Sequence, residues 1–312
     1  MIAKSMFRGS ATVLASTAML LSHRGPRELV RLVSRATPLL VVGGLLAVLV
    51  VYRQQLELDK PFFSLILSWL RNAVGFGRDA MFFWMAGLLF LVAEYRWPAR
   101  QVDRRANLHW DLASYAVGGV YVQVVALVFV ALLPHHRPGF LGAAHPVWRV
   151  TILLVVTDFI AYWSHRLRHT ETFWPMHQWH HAPEHLYWLS GNRTTLADYL
   201  LLAAPSFLTF FLFALSPAEG FLIVLGYTGF NHWMHANVRW GHRSLEWLIV
   251  TPRFHHIHHS QSPEHLDTNF GVLFSVWDRL FGTLRSPDAV GAVYRVGLTG
   301  RTAAKIRMML GV

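Results

Sequence analysis

The chain contains no cysteine. Disulfides, thiolate-bound zinc, cysteine-ligated iron–sulfur clusters and covalently attached c-type haem are therefore excluded, and thiols say nothing about the compartment. Acidic residues are sparse, with 17 Asp and Glu against 28 Lys and Arg and a formal net charge of +11. Such a charge can suit nucleic acid, but the arginines cluster between apolar segments and not along one polar surface. Anionic lipid headgroups fit that distribution and nucleic acid does not. Two motifs are also missing. Without His-Glu-x-x-His there is no usual zinc-hydrolase pair with its Glu base, and without Gly-x-Gly-x-x-Gly there is no dinucleotide fingerprint. No period of roughly 20 to 50 residues repeats, which argues against solenoids.

Apolar residues are abundant. They make up 54% of the 312 positions, above the ~45–50% of an average soluble domain, which tilts the chain toward a membrane. Apolar segments fall at 37–52, 80–95, 112–134 and 147–163, and a longer one at 199–230 is broken by Ser216-Pro217. A span needs roughly 20 residues, so the last run is too long for one span and reads as a hairpin of two helices. Arg96, Arg100, Arg104 and Arg105 crowd the connection after the second segment, whereas 135–146 holds only Arg137 as a Lys or Arg. The positive-inside rule then places the N-terminus and everything after Trp163, apart from the hairpin, in the cytoplasm. Lys60, Arg71 and Arg78, on the outer side in this scheme, run against the bias. The expected fold is an all-α integral membrane protein, with about four transmembrane helices, a membrane hairpin and a cytoplasmic helical cap, as in a bacterial inner membrane. Its parts are a basic cytoplasmic extension at 1–35, transmembrane helices at 36–146, a histidine-rich catalytic region at 147–290 and a tail at 291–312.

Histidine is the anomaly. Of 19 residues, 14 lie from His165 to His265. His165 and His169 are four apart, so on a helix continuing the fourth span they share a face. His177, His180 and His181 have spacings of three and four, which on a helix puts all three rings on one side, and His255, His258 and His259 repeat the pattern. His232 and His235 follow the hairpin. Isolated histidines such as His109 or His242 are ordinary polar residues. The repeated triplets are not, because close-packed imidazoles repel when protonated and leave ring nitrogens unpaired when neutral, at roughly 1–3 kcal/mol each. A bound cation removes that conflict. Imidazole accepts Zn, Cu, Fe and Ni alike, but eight or more candidates exceed the three or four ligands of one zinc ion, so two metals are implied.

The order His-x3-His, His-x2-His-His, the His235-Ala-Asn237 segment and a final His-x2-His-His resembles the fatty acid hydroxylase/sterol desaturase superfamily of membrane di-iron enzymes. Further matches are Asp158 to His169 as a block, Thr251-Pro252-Arg253-Phe254, Asp267-Thr-Asn269-Phe-Gly271 and Trp277-Asp278-Arg-Leu-Phe-Gly282-Thr283. The resemblance covers about 90–285. It implies His165, His169, His177, His180, His181, His235, His255, His258 and His259 as ligands of two iron ions. Many relatives carry one more His four residues before the position of His235, where this chain has Asn231, so Asn231, His232 or water stands as the tenth ligand. His256 falls in a variable slot. The resemblance further implies that the irons are reduced, bind O2 and yield an oxidant that hydroxylates or desaturates a C–H bond of a lipid such as a sterol, fatty acyl chain or ether lipid. No reductase or cytochrome b5 domain is visible, so electrons are expected from an external donor of ferredoxin or cytochrome b5 type. The competing reading is a zinc-dependent membrane metallohydrolase.

Four other residues carry expectations. Asp158, Tyr162, His165 and His169 are spaced four, three and four, so on a helix they share one face. Asp158 would then reach toward the metals through Tyr162 or water. Arg193 is a candidate for holding a lipid headgroup, against a structural ion pair, and Trp188 for lining a substrate channel.

Overall fold

The computed structural model describes residues 83–132, 145–213, 215, 217–290, 294–298 and 302–311. The basic extension at 1–35 and the expected first span at 37–52 lie outside them. The described residues are helical, with no strand and only isolated bridges such as Ile249 with Phe274.

Helix α1 covers 83–96 and α2 covers Arg104–Leu132. Helix α3, Pro146–Arg168, starts with proline in its first turn, where the missing N–H costs nothing. It runs past Trp163 without a break, so His165 is helical and His169 is its C-cap. Its two faces are opposite in character. Trp148, Ile152, Val155, Phe159, Trp163 and Leu167 recur at helical spacing on the exposed side, whereas Leu153, Thr157, Asp158, Ala161, Tyr162 and His165 are buried. Water would not leave such an apolar stripe uncovered, and lipid does. Among the described residues this helix, over Val147–Arg168, is the one long and apolar enough to cross a membrane.

The long apolar run divides into two helices, α5 at Leu196–Leu212 after the single-turn α4 at Trp174–His177, and then α6 at Pro217–His235. Helix α5 packs along α3 and α2. Buried hydroxyls tie the first pair, with Thr157 Oγ1 donating to Thr209 Oγ1 at 2.8 Å and Ser164 Oγ to the Leu201 carbonyl at 2.7 Å. Such short polar side chains let apolar helices bond without burying an unpaired group. The cap follows as α7 at Arg243–Glu246, α8 at Pro252–His258, α9 at Val276–Leu280, α10 at Pro287–Val290 and α11 at Thr302–Leu310. Helix α8 rests on α6, so the third histidine cluster sits over the end of the hairpin.

One helical expectation fails. His177, His180 and His181 do not lie on one helix, because α4 ends at His177 and the chain continues as turns, with His180 N–H donating to the His177 carbonyl and Ala182 N–H to Trp179. Pro175 begins the segment and Pro183 disfavours helix at Ala182, leaving too few residues between them to propagate.

Candidate metal centre

Helix α3 brings His165 and His169 inward, the α4 turn brings His177, His180 and His181, α6 delivers His235 from its last turn, and α8 carries His255, His258 and His259. Thr251 starts α8 by accepting the Phe254 N–H on its side chain, and Pro252 takes the first helical position, so a strong start compensates for a short helix. The nine rings divide into two groups. His165, His169, His177, His181 and His258 form one, and His180, His235, His255 and His259 the other, with the ligand atoms of each within 4.8 Å of one another. The groups adjoin, since the His181 and His259 rings stack at 4.3 Å.

Ring orientation is fixed from outside. In the first group His165 Nδ1 lies 2.9 Å from the Phe270 carbonyl, His258 Nδ1 2.8 Å from that of Thr268, His177 Nδ1 3.0 Å from Asp198 Oδ1 and His169 Nδ1 3.4 Å from Asp267 Oδ1. An acceptor at Nδ1 holds the proton there and leaves the Nε2 lone pair for a metal. All five Nε2 atoms of this group are buried and have no hydrogen-bond partner. In the second group His180 Nδ1 faces the Arg193 carbonyl at 3.2 Å and His235 Nδ1 that of Asn231 at 2.7 Å. Their Nε2 atoms are then both acceptors, yet they stand 3.2 Å apart, with His255 Nε2 3.2 Å from His235 Nε2. Facing lone pairs repel unless a cation lies among them. The donor set therefore fits a metal at each group.

The rings are also neutral. Burial first, then neighbouring histidines and Arg168, holds His177, His181, His255, His258 and His259 well below the ordinary imidazole range, and His180 falls to about 3. Neutral imidazole is the form that ligates. Phe270 and Trp174 pack their rings against His169 at 5.0 and 5.3 Å and screen the first group from water.

A bracket from the far end of the chain presents these acceptors. Asp267 and Asn269 adopt positive φ, 55° and 57°, and the Thr268 and Phe270 carbonyls between and after them face the rings. Asn269 ties the loop to Phe254 and Arg285, and Asp278 accepts the N–H groups of Phe270 and Gly271, both at 2.8 Å, and the Thr283 hydroxyl at 2.6 Å. The segments Asp267 to Gly271 and Trp277 to Thr283 thus serve the histidines without ligating.

Asp158 and Tyr162 are buried on the inner face of α3 but do not form the expected chain to the metals. The Asp158 carboxylate accepts Leu273 N–H at 2.8 Å, Phe274 N–H at 2.9 Å, Trp277 Nε1–H at 2.9 Å and the Tyr227 hydroxyl at 3.4 Å. The Tyr162 hydroxyl pairs with Thr283 Oγ1 at 2.9 Å. Both residues brace the bracket. Arg193 is likewise not placed for a headgroup, because it is fully buried, its Nε donates to Asp111 Oδ1 at 2.5 Å and its guanidinium stacks on Trp179 at 4.6 Å. The structural ion pair is what forms. Trp188 is buried among Phe83, Trp84, Phe90 and His232, and a Cβ at Gly87 would clash with its ring, so it is taken up in packing. His232 turns its Nδ1 to the Trp188 carbonyl, His256 its Nε2 to that of His235, and neither joins a group. Asn231 Nδ2 donates to the Gly191 carbonyl at 2.9 Å.

Sequence reasoning missed Asp198, which accepts from both His177 and Arg168 while Thr194 donates to its other oxygen. Its position in the first turn of α5 was the available signal, since a carboxylate is favoured there.

Residues 150–283 match the fatty acid hydroxylase family model. Over this part the chain is similar to the fatty acid hydroxylase/sterol desaturase superfamily. It is 29% identical to the ornithine lipid hydroxylase OlsE of Rhizobium tropici over 60% of this chain and 57% of that one. It is also 27% identical to an alkylglycerol monooxygenase of Xenopus tropicalis over 71% and 49% respectively, and 30% to a very-long-chain aldehyde decarbonylase, GL1-7, of Oryza sativa over 50% and 26%. The matches thus span about half the length of the first two relatives or a little more. No solved structure matches the chain.

Proposed function

We propose that this chain is a membrane-bound oxidoreductase that holds two iron ions in its two histidine groups and uses O2 to hydroxylate a C–H bond of a lipid. The observation that carries the reading is the division of nine largely buried histidines into two groups, with the outer nitrogens of six occupied by acceptors. Iron bound there supplies the reduction of O2 and the oxidant for an unactivated carbon, with two electrons and two protons consumed per lipid hydroxylated. The protein's own residues do the rest. His165, His169, His177, His181 and His258 hold one ion, and His180, His235, His255 and His259 the other. The loop from Asp267 to Phe270 keeps three of the rings from rotating, and Phe270 and Trp174 exclude water that would quench the oxidant. Because the second group has four histidines against five, Asn231 or water stands as its remaining ligand. The chain supplies no electron carrier of its own within the described residues, so an external donor of ferredoxin or cytochrome b5 type delivers the electrons.

The four-span arrangement with a membrane hairpin and the histidines on the cytoplasmic side belongs to the same proposal. Its support is the apolar outer stripe of α3, whose last turn leads directly into the first histidine pair. A zinc metallohydrolase is the poorer reading, since the two carboxylates nearest the rings, Asp198 and Asp267, are bonded to outer ring nitrogens and neither is left to act as a base. Comparison of lipid extracts from expressing and non-expressing cells, with and without the His258→Ala variant, tests the proposal. A lipid gaining 16 mass units only with the intact protein is expected. A product that forms equally without O2 overturns it.

A further inference from the structure

A cavity lined in part by His256 lies outside the two histidine groups. Its volume is about 340 Å³, at the small end of ligand pockets, which run roughly 300–1,000 Å³, so it suits one small molecule or one headgroup. Arg100, Glu184, His185, His256, Tyr294 and Arg295 line it. Three stretches of chain meet there, and each is fastened. Asn237 grips Arg100 from both sides, accepting its backbone N–H at 3.1 Å and donating to its carbonyl at 2.8 Å. Gln261 N–H donates to the Arg295 carbonyl at 2.9 Å and its side chain to the carbonyls of Val296 and Gly297. Gly297 lies at φ +87° with Pro183 so close that a Cβ would collide with its carbonyl, which locks the 294–297 stretch onto the segment holding Glu184 and His185. The cavity is preformed.

Its free charge is of one sign. The Arg100 guanidinium lies over the Tyr294 ring, 4.0 Å from the centroid, and hydrogen-bonds the Tyr294 hydroxyl, which fixes its plane and leaves its remaining N–H groups for a ligand. Arg295 is exposed at the rim. The only carboxylate in the lining, Glu184, is taken by Lys305 at 2.9 Å, outside the cavity wall. Asn237 and Gln261 spend their amide donors on backbone carbonyls. What remains for an occupant is two permanent cations on a rigid, partly aromatic wall.

We propose that this cavity is an oxyanion site, in which Arg100 and Arg295 bind a phosphate group, carried either by a lipid headgroup or by a small soluble molecule. Fork-shaped guanidinium groups match phosphate oxygens in a bidentate way that lysine does not. The site is distinct from the metal groups and does not depend on which metal they hold. It contacts them through His256, which lines the cavity and turns its other side to the carbonyl of His235.

The test uses the full-length, metal-loaded protein in a neutral detergent. Inorganic phosphate is titrated by calorimetry, and retention of phosphatidylglycerol against phosphatidylcholine is read by native mass spectrometry. Wild type is compared with Arg295→Glu and with Arg100→Gln/Arg295→Gln, with metal content as the control for folding. Among the described residues the Arg295 side chain makes no hydrogen bond or ion pair, so the single variant remains informative if the double one does not fold. Phosphate binding weakened at least tenfold in Arg295→Glu, with metal content unchanged, supports a soluble anion. Selective retention of phosphatidylglycerol that the variant loses, without binding of free phosphate, supports the headgroup. Binding of neither probe, or equal binding by wild type and Arg295→Glu, overturns the site.

Discussion

The Nδ1 of His177 lies 3.0 Å from Oδ1 of Asp198, and both side chains are buried. The same carboxylate oxygen accepts from Arg168 at 3.1 Å, so one anion orients a ring and neutralises a cation that would otherwise face five histidines. Asp267, the other carboxylate bonded to a ring of the first group, is 72% exposed on its side chain and exchanges with water, which leaves Asp198 as the firmer anchor. Outer partners of this kind commonly contribute 10–100-fold in metal affinity or activity. Asp198→Asn is therefore expected to lower the affinity of one metal by roughly that factor while the second stays bound. Competition with a chelator, read as metal atoms per chain, checks this. Simultaneous loss of both metals would show instead that Asp198 holds the fold.

The division of the rings predicts how metal content responds to single substitutions. Wild type is expected to bind two metals per chain. His258→Ala removes a ligand of the five-membered group and His235→Ala one of the four-membered group, so each should fall toward one metal, whereas His232→Asn, in neither group, should keep two. The metals need not be iron in an overproduced sample, since imidazole also accepts zinc. Elemental analysis distinguishes the cases. A wild type with one metal, or a His232 variant that loses one, contradicts the division.

The convergence of the histidines was legible in the sequence because it is largely local. Spacings of three and four bring rings together on α3 and α8 whatever lies beyond. The α4 triplet converges as well, although Pro175 and Pro183 replace the helix by turns, because turns bonded from one residue to the third after it also return side chains to one side. The break at Ser216-Pro217 was readable for the same local reason, and α6 starts at Pro217. What holds the rings was not. His165 is oriented by Phe270, 105 positions away, and Arg193 is buried by Asp111, 82 positions away, so a candidate for holding a headgroup became core. Asp158 was placed on the correct face of α3, but its partners at 273–277 come from more than 110 positions on, and only the fold shows that they, and not the metals, receive it.

Asp158 holds the 273–277 segment against α3. Its carboxylate accepts four hydrogen bonds from the 273–277 segment and Tyr227, and removing one acceptor of a buried bonded set costs about 1–3 kcal/mol per unsatisfied group. Asp158→Ala should lower stability by at least that much and loosen the bracket that orients His165 and His258, so stability and metal affinity fall together. Asp158→Asn should lose less of both, because one amide oxygen still accepts. Thermal melting and metal retention of the two variants check the order. An Asn variant with full stability but no turnover would restore a role in the reaction itself.

The last prediction concerns acid. In the folded, metal-free protein the rings of His181, His255, His258 and His259 are kept neutral by burial and by one another, well below the ordinary imidazole range, and His180 ionises only near pH 3. In the unfolded chain the same rings ionise near pH 6.5. Between those limits the unfolded state binds more protons than the folded one, so unfolding becomes more favourable as pH falls. The stability is fully present above about pH 6.5 and is lost as pH drops from there toward 3. Bound metal shifts the loss to lower pH, because it competes with protons for the same Nε2 atoms. Melting temperatures of metal-free and metal-loaded protein in detergent, taken from pH 7.5 to 5.5, measure both effects. The metal-free curve should fall steeply, the loaded curve should stay flat until the metal leaves, and His181→Asn/His258→Asn in the metal-free form should fall less steeply than wild type because two rings no longer titrate. A metal-free melting temperature that is level across this range would mean that the rings are not held neutral, and the case for two cations among them would lose its electrostatic footing.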